Sequence, residues 1–556
     1  MKNAISLVVL SGSLSFTFGC AAPTSRARLT EAPEGFTRQE YLRGSVTPER
    51  EWWDVLHYDL TLQVFPERKY LKGSNVIAFQ TASSGERMQV DLQPPLSITK
   101  VMHGTSELTF EREGNAYWIQ FANALPKAVN DEIEVFYEGT PVESENPPWS
   151  GGLTWDTDEL GNPFIATTCQ GIGASIWWPN KDHGADEPDN GMDLRITVPD
   201  SLVAVCNGRL IERQVDDETK TASFHWQVTN PINNYGVNLN IGNYVSMPGS
   251  YDGESGQLDL EYWVLEHQVE QATAQFKEVP RTLAAFEHWF GPYPFYEDSY
   301  KLVVVPYLGM EHQSSVTYGN GFQNGYRGSD LSKTGVGLKF DFIIVHETAH
   351  EWFGNNVSAK DGADLWIHES FANYAENLFV DYHFGSEEAA DYVIGCRAII
   401  QNDKPIIGTY GVNSQGSSDM YYKGGNMLHM MRNVVNDDVR WRTVLRGVSE
   451  GFWHETVTTE EFEGRFSDLA GFDFSKLFDQ YLRTTKIPLL KYEAVDSGVA
   501  VHFENIVPDF SMPVLLHING EPHRVEVSDQ PHRIELGSEL MTFELDRNYY
   551  MIAQAK

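Results

Sequence analysis

The run HETAH at positions 346–350 has the residue types and spacing of a metal site that activates water. Two histidines four residues apart point the same way from a helix, so the imidazoles of His346 and His350 can converge on one ion. Glu347 lies about 100° further round such a helix, close to the ion but not directed at it, which suits a general base. The predicted ion is Zn²⁺, one per chain, because catalytic zinc takes three protein ligands and keeps a position for water.

Glu369 is the predicted third ligand, eighteen residues beyond His350. An HExxH run occurs by chance in roughly seven of a hundred chains of this length, and requiring this glutamate lowers that rate about twentyfold. A second helix packed across the first would bring Glu369 to the ion. His368 then points away from the ion and is expected to be structural, and Glu376, on the same face as Glu369, is expected to support the site.

Together with the segment WFGN at 352–355, these residues resemble the M1 family of zinc aminopeptidases. This is the gluzincin group that includes aminopeptidase N and leukotriene A4 hydrolase. The resemblance covers nearly the whole chain from about residue 50 to 556. It implies a bacterial three-domain form, with His346, His350 and Glu369 as metal ligands and Glu347 as general base.

The segment LGMEH at 308–312 resembles the family's exopeptidase motif Gly-Ala-Met-Glu-Asn. Met310 and Glu311 match it, and Gly309 is a small residue in place of Ala. Leu308 stands where Gly is usual, and His312 stands where Asn is usual. The resemblance implies that Glu311 receives the α-ammonium of a peptide with a free N-terminus, while the backbone at Gly309 and Met310 pairs with that peptide in β fashion.

Two further positions complete the implied site. Gln170 stands where the family's β domain contributes a second amine-binding residue, although a glutamine in a loop is most often only solvated. The run YYKGG at 421–425 resembles the family pattern Tyr-x-Lys-Gly, which selects Tyr421 rather than Tyr422. Its hydroxyl would donate to the oxyanion of the tetrahedral intermediate. The structural alternative is a tyrosine packed at a helix start.

These residues predict a zinc metallo-aminopeptidase that removes the N-terminal residue from peptides. Two alternatives remain open. An epoxide hydrolase and aminopeptidase of the leukotriene A4 hydrolase type would use the same metal site. A non-catalytic zinc-binding surface protein is disfavoured by the presence of both Glu347 and Tyr421, because a binding module needs neither a base nor an oxyanion donor.

The elements that position these residues are predicted to form three domains, because 556 residues exceed a single core. Alternating apolar residues predict an N-terminal β-sheet domain over 48–248, saddle-like by the resemblance. Helical periods around a buried strand predict an α/β catalytic domain over 249–486, thermolysin-like by the resemblance. Alternation returns over 487–556 and predicts a small C-terminal β-sandwich. The predicted fold class is multidomain α+β.

Residues 1–20 resemble a bacterial lipoprotein signal peptide, with a basic start at Lys2 and a cleavage box that ends at Cys20. Residues 21–47 are predicted to be a tether. The protein is therefore expected to be exported to the bacterial periplasm or cell envelope. Its membrane contact would be a lipid at Cys20, and plain export is the alternative.

The net charge of −37, from 41 basic and 78 acidic residues, repels nucleic acid phosphates and anionic lipid, so nucleic acid is not an expected partner. Cys169, Cys206 and Cys396 remain besides Cys20. This odd number excludes a full disulfide framework but leaves open one bridge, for instance between Cys169 and Cys206.

Overall fold

The computed structural model describes residues 31–537 and 539–556. The predicted signal peptide, Cys20 and the first part of the predicted tether lie outside these residues, so export and lipidation stay predictions. Within the described ranges, no helix combines the length and the apolar character needed to cross a membrane.

The part of the predicted tether from Arg38 onward is folded. It forms α1 (Arg38–Gly44), and α2 (Pro48–Glu51) follows. Tyr41 and Leu42 of α1 are buried against Ala116 and Trp118 of the first domain. Polar side chains also attach the helix, such as Arg43, whose Nη1 donates to the Asp182 carbonyl oxygen at 2.6 Å. With so few apolar residues, the surrounding composition resembles a linker.

The N-terminal region is built from strands, as predicted. Buried and half-buried residues alternate along strand Met192–Pro199, in agreement with its alternating sequence. One sheet has the strand order β12-β13-β10-β1-β2-β7-β4-β5-β6-β3, and another has the order β11-β14-β9-β8. The strands are β1 (Trp53–Phe65), β2 (Tyr70–Thr81), β3 (Gly85–Asp91), β4 (Ser97–His103), β5 (Ser106–Glu113), β6 (Ala116–Leu125), β7 (Asn130–Gly139), β8 (Gly152–Thr157), β9 (Pro163–Thr168), β10 (Met192–Pro199), β11 (Val203–Val205), β12 (Arg209–Asp216), β13 (Thr221–Val228) and β14 (Asn240–Gly242).

The catalytic region combines a mixed sheet, of order β15-β16-β17-β19-β18, with a group of helices. Its first strand starts at Tyr244, a few residues before the predicted boundary at 249. The strands are β15 (Tyr244–Gly253), β16 (Gly256–Leu265), β17 (Tyr300–Val304), β18 (Gly309–Met310), β19 (Val316–Tyr318), β20 (Val357–Ala359) and β21 (Glu455–Val457). The helices are α3 (Val269–Gln275), α4 (Glu278–Phe290), α5 (Phe342–Ala349), α6 (Trp366–Phe384), α7 (Ser386–Gly395), α8 (Tyr422–Val435), α9 (Asp438–Gly451), α10 (Thr459–Ala470) and α11 (Ser475–Leu482).

The C-terminal region returns to strands, which form one sheet of order β26-β23-β22-β28 and another of order β25-β24-β27. The strands are β22 (Leu489–Val495), β23 (Gly498–Glu504), β24 (Met512–Ile518), β25 (Glu521–Val527), β26 (His532–Glu535), β27 (Phe543–Leu545) and β28 (Ile552–Ala555). The predicted multidomain α+β class, with a sheet-rich start, a mixed catalytic region and terminal strands, is confirmed. Cys169, Cys206 and Cys396 are buried and free, so the bridge left open by the sequence is not formed.

Helix α8 packs closely against α6 because glycines of α8 face α6. A Cβ atom on Gly424 would lie 1.9 Å from Ser370 Oγ, and one on Gly425 would lie 2.2 Å from Asn373 Oδ1. Ser370 Oγ also donates a 2.6 Å hydrogen bond to the carbonyl oxygen of Met420, just before α8. These contacts fix the start of α8 against the middle of α6.

Gly424→Ala should destabilise the protein by about 1–3 kcal/mol, because its methyl group overlaps Ser370 in a closely packed interface. Gly464→Ala is the matched control, since Gly464 lies on α10 and its added Cβ would have no neighbour within 4 Å. That change should stabilise the protein by about 0.5–1 kcal/mol through helix propensity. Denaturant titration of both variants measures the difference; equal midpoints would contradict the close packing of α8 on α6.

Candidate metal centre and substrate cleft

The start of helix α5 is fixed by the carboxylate of Asp341. It accepts hydrogen bonds from the backbone N–H groups of Ile343 (3.1 Å) and Ile344 (3.4 Å), which are otherwise unpaired at a helix start. Its side chain also accepts from the Tyr318 hydroxyl and from Asn320 Nδ2, both at 2.8 Å. The helix that carries the HExxH run is therefore anchored to strand β19 and to the loop that follows it.

The structure brings His346, His350 and Glu369 together, with Glu369 reaching the site from α6. The Nε2 atoms of His346 and His350 lie 3.6 Å and 3.4 Å from Glu369 Oε2. Each imidazole is held through its other nitrogen: His346 Nδ1 bonds Glu376 Oε1 at 2.7 Å, and His350 Nδ1 bonds the Phe353 carbonyl oxygen at 2.9 Å. The Nε2 atoms are therefore the ones directed at Glu369, the arrangement typical of metal-binding histidines.

These donors fit a zinc ion. Glu369 Oε2 is buried and accepts no hydrogen bond from the described residues. Such an atom is costly unless a cation faces it. Ligand atoms of His346, Glu347 and His350 lie within 4.8 Å of one another, and so do those of Glu311, His350 and Glu369. Two imidazole nitrogens and a carboxylate oxygen are a ligand set found in catalytic zinc sites.

Glu347 and Glu311 are both buried next to these donors. Burial raises the pKa of Glu347 to about 7, with Glu311 adding to the increase and His346 opposing it. Burial likewise raises the pKa of Glu311, an effect that His350 opposes and Glu369 reinforces. Within residues 31–537 and 539–556, neither carboxylate forms an ion pair with a lysine or an arginine. The centre therefore has an excess of buried acidic groups.

Gln170, in the loop after β9, extends from the N-terminal domain into the centre. Its Nε2 donates to Glu311 Oε1 at 2.6 Å and to Glu369 Oε1 at 2.9 Å. Asn413 Nδ2 donates to the carbonyl oxygen of Gly171 at 2.7 Å and fixes the same loop to the catalytic domain. The two sequence-predicted anchors, Gln170 and Glu311, are thus in direct contact with each other.

Gly309 and Met310 form β18, the edge strand of the catalytic sheet. They pair with Tyr318 and Thr317 of β19 on one side only. A Cβ atom on Gly309 would lie 2.6 Å from the side chain of Ile343 and 3.3 Å from Glu347 Oε1. The glycine therefore lets the edge strand approach α5 closely.

His312 and His368 both have structural positions. His312, which replaces the motif's usual Asn, is buried with its Nδ1 3.2 Å from Thr317 Oγ1. His368 Nε2 accepts a 2.7 Å hydrogen bond from the Ala359 N–H, so it faces away from the metal donors.

Glu376 bonds His346 and accepts a 2.6 Å bond from the Tyr392 hydroxyl. Its position agrees with the supporting place expected from the sequence.

Tyr421 lies at the start of α8, beside the metal donors. Its ring is stacked on that of His346, with centroids 6.0 Å apart and planes 25° from parallel. Burial raises the pKa of Tyr421, and the neighbouring carboxylates of Glu369 and Glu311 raise it further. Tyr422 lines the same cavity, so the choice between the two tyrosines as oxyanion donor stays a prediction.

A cavity of about 330 Å³ contains this centre. Its wall includes residues that the sequence did not indicate as site residues, because they come from loops and helices far apart in the chain and match no functional motif. They are Pro148, Trp149, Tyr326, Phe342, Ile343, Asn373 and Ser418. Trp149 lies within a Pro-Pro-Trp-Ser-Gly-Gly turn, where composition indicates a loop but no position in a cleft.

Comparisons with known proteins show which proteins this chain is similar to. Residues 274–481 match the family model described as Peptidase family M1 domain. Aminopeptidase N of Lactobacillus helveticus is 25% identical over 467 residues, which are 80% of this chain and 52% of that protein. Aminopeptidase 2 of Candida albicans is 21% identical over 481 residues, 80% of this chain and 48% of that protein. The chain spans about half the length of these relatives.

A solved structure has a similar fold. The crystal structure of an M1 zinc metallopeptidase from Deinococcus radiodurans superposes with a TM-score of 0.68 at 20% sequence identity. The match covers 80% of this chain and 98% of the other. These comparisons confirm the resemblance to family M1 that the sequence motifs indicated.

His350→Gln should reduce the zinc content of the purified protein from about one ion per chain to nearly none, because it removes one of three ligands. His368→Gln is the matched control. The glutamine can still accept the bond from the Ala359 N–H, and zinc should be retained. Elemental analysis after dialysis measures both; equal loss of zinc in the two variants would contradict the ligand set.

Proposed function

We propose that this chain, whose residues 274–481 form a peptidase family M1 domain, is a zinc-dependent aminopeptidase that releases the N-terminal residue of peptides. The observation that carries the proposal is the position of Glu311, a buried carboxylate whose ligand atom lies within 4.8 Å of those of His350 and Glu369. A peptide's α-ammonium held there would place its first carbonyl beside the metal ligands. An internal peptide bond offers no such ammonium.

Binding would begin at the amine. The ammonium would pair with Glu311 and with the free amide oxygen of Gln170, whose amide nitrogen already bonds Glu311 and Glu369. The unpaired side of β18, at Gly309 and Met310, would hydrogen-bond the peptide backbone as an added strand. These contacts would fix the register of the peptide, so that only its first bond reaches the reacting groups.

His346, His350 and Glu369 would hold zinc, which supplies a Lewis acid for the scissile carbonyl and the attacking water. Glu347 would take the proton from that water and return it to the leaving amine. Its pKa of about 7 suits both transfers near neutral pH. Tyr421 would donate a hydrogen bond to the oxyanion as it forms. Glu376 would keep the His346 ring oriented through Nδ1.

The names of the similar proteins support a peptide substrate. The relatives from Lactobacillus helveticus and Candida albicans are both named aminopeptidases. A mutant of the Deinococcus radiodurans M1 zinc metallopeptidase was crystallised with Tyr-Ser-Ala as its substrate. A peptide with a free amine is therefore the substrate class proposed for this chain.

The wild-type protein should hydrolyse aminoacyl anilides, and this activity should disappear with a chelator and return with zinc. Glu347→Gln should lower kcat by about 10²–10⁴-fold, because it removes the base while leaving the three ligands in place. Continuous anilide assays, paired with elemental analysis, measure rate and metal content separately. Absence of hydrolysis from every free-amine substrate by the zinc-loaded protein would refute the proposal.

N-terminal acetylation of a peptide substrate should abolish its cleavage, because an acetylated amine carries no charge for Glu311. Release of the first residue can be followed by chromatography for the free and the acetylated peptide. Equal cleavage of the two would remove the amine-binding role from Glu311 while leaving the metal-dependent hydrolysis intact.

Tyr421→Phe should reduce kcat by about 10²–10³-fold with little change in KM, because it deletes a hydrogen bond made to the developing oxyanion. Tyr422→Phe is the matched control, and it should leave kcat nearly unchanged. Steady-state kinetics on one anilide substrate tests both variants. A larger loss of kcat in the Tyr422 variant would transfer the oxyanion role to that residue.

A further inference from the structure

The cleft also contains an aromatic surface next to the metal donors. Glu311 is grouped with His350 and Glu369, whereas an aromatic surface begins at His346. The Phe342 ring is stacked on the His346 ring, with centroids 5.3 Å apart and planes 12° from parallel. Tyr326 packs edge-on against Phe342, again at 5.3 Å. If the amine is held at Glu311, this surface lies along the part of the peptide that leaves.

The guanidinium of Arg327 lies at the outer end of this surface. The guanidinium carbon of Arg327 lies 5.6 Å from the centroid of the Trp149 ring, which belongs to the N-terminal domain. Trp149 lines the cavity and is 59% exposed. In the part of the chain that the structure describes, Arg327 has no ion pair with a carboxylate. A guanidinium over an aromatic face keeps its outer N–H groups available for an anion.

The charges of Arg327 and of the catalytic carboxylate, Glu347, both shift the pKa of Tyr326, which lines the cleft. Burial raises the pKa of the Tyr326 hydroxyl, while the charge of Arg327 lowers it and that of Glu347 raises it. The phenol is therefore close enough to both charges for each to shift its pKa. Positive charge here is unusual in a protein whose net charge is −37.

The turn that carries Arg327 is fixed to the start of the metal-binding helix. Asn320 Oδ1 accepts a 2.8 Å hydrogen bond from the Arg327 N–H, and Asn320 Nδ2 donates to Asp341, the residue that caps α5. The loop around Trp149 is closed by a 2.8 Å bond from the Ser150 N–H to the Asn146 carbonyl oxygen. Arg327 is therefore presented from backbone that is held in place relative to the catalytic centre, and Trp149 is presented from a closed turn.

We propose that Trp149 and Arg327 form a subsite that binds the C-terminal carboxylate of short peptides, so that the enzyme favours substrates of about two to four residues. The inference rests on the proposed aminopeptidase function. Two ring-to-ring steps of 5.3 Å lead from His346 to Tyr326, a path that at most about three extended residues would span. A guanidinium binds a carboxylate through two parallel hydrogen bonds, and the Trp149 ring would hold the guanidinium in position for them.

The test compares kcat/KM for Tyr-Ser-Ala, for its C-terminal amide and for tyrosyl anilide. The wild-type enzyme should prefer the free acid over the amide by about threefold to tenfold, the range for a charge-assisted bond at a partly exposed site. Arg327→Gln should remove this preference and leave the anilide unchanged, because the anilide has no second residue. Trp149→Ala should also reduce the preference for the free acid over the amide.

Arg213→Gln is the matched control, because Arg213 is another exposed arginine over an aromatic ring, that of Phe224, on strand β12. It should retain the wild-type preference. Thermal midpoints verify that all variants are folded. Equal kcat/KM of the wild-type enzyme for the free acid and the amide, or an unchanged preference in Arg327→Gln, would overturn the inference.

A fourth substrate, Tyr-Ser-Glu amide, distinguishes the two sources of a carboxylate. The proposal expects it to behave like Tyr-Ser-Ala amide. If Arg327→Gln slows this peptide but not Tyr-Ser-Ala, the subsite recognises an acidic side chain and the C-terminal assignment is wrong. Failure of the wild-type enzyme to cleave tyrosyl anilide would instead contradict the proposed function itself, so the two failures are separable.

Discussion

Buried negative charge is the constraint on which the rest of this centre depends. Glu311, Glu347 and Glu369 are each less than 8% exposed, and the groups beside them are two imidazoles and an amide rather than lysine or arginine. Burying unpaired carboxylates costs several kcal/mol for each charge. A divalent cation and a substrate ammonium are the two positive charges that would balance this excess. The same imbalance would account for the proposed affinity toward a metal and toward a free peptide amine.

The scaffold holds these groups in place through hydrogen bonds to the metal-facing side chains and to the start of the helix that carries them. The carboxylate of Asp341 caps the start of α5, and the carboxylate of Glu376 orients the His346 ring. Glycines at α8 and β18 remove the side chains that would otherwise keep these elements away from α6 and α5. Little rearrangement is then needed when a substrate binds, which favours rate because the reacting groups are already positioned.

The sequence predicted the metal residues because their chemistry restricts both residue type and spacing: two imidazoles one helical turn apart are visible without a fold. Strand alternation likewise indicated the outer domains. Gln170 could be assigned only through resemblance, since nothing local distinguishes it from a solvated glutamine. Trp149 and Arg327 could not be paired, because their contact is created by the docking of two domains. The helix Arg38–Gly44 within the predicted tether could not be foreseen, because its two buried apolar side chains, Tyr41 and Leu42, stand in an otherwise polar segment.

The amide of Gln170 has one more consequence. It belongs to the N-terminal domain, yet it joins Glu311 to Glu369 within the catalytic domain. In a newly made chain whose domains have not yet docked, the metal ligands would be present. The Gln170 amide that aligns Glu369 with the amine anchor Glu311 would still be missing from the centre. Full hydrolytic competence would thus arrive only with correct assembly. The same hydrogen bonds of Gln170 would then serve both the assembly of the two domains and the proposed selectivity for chain ends.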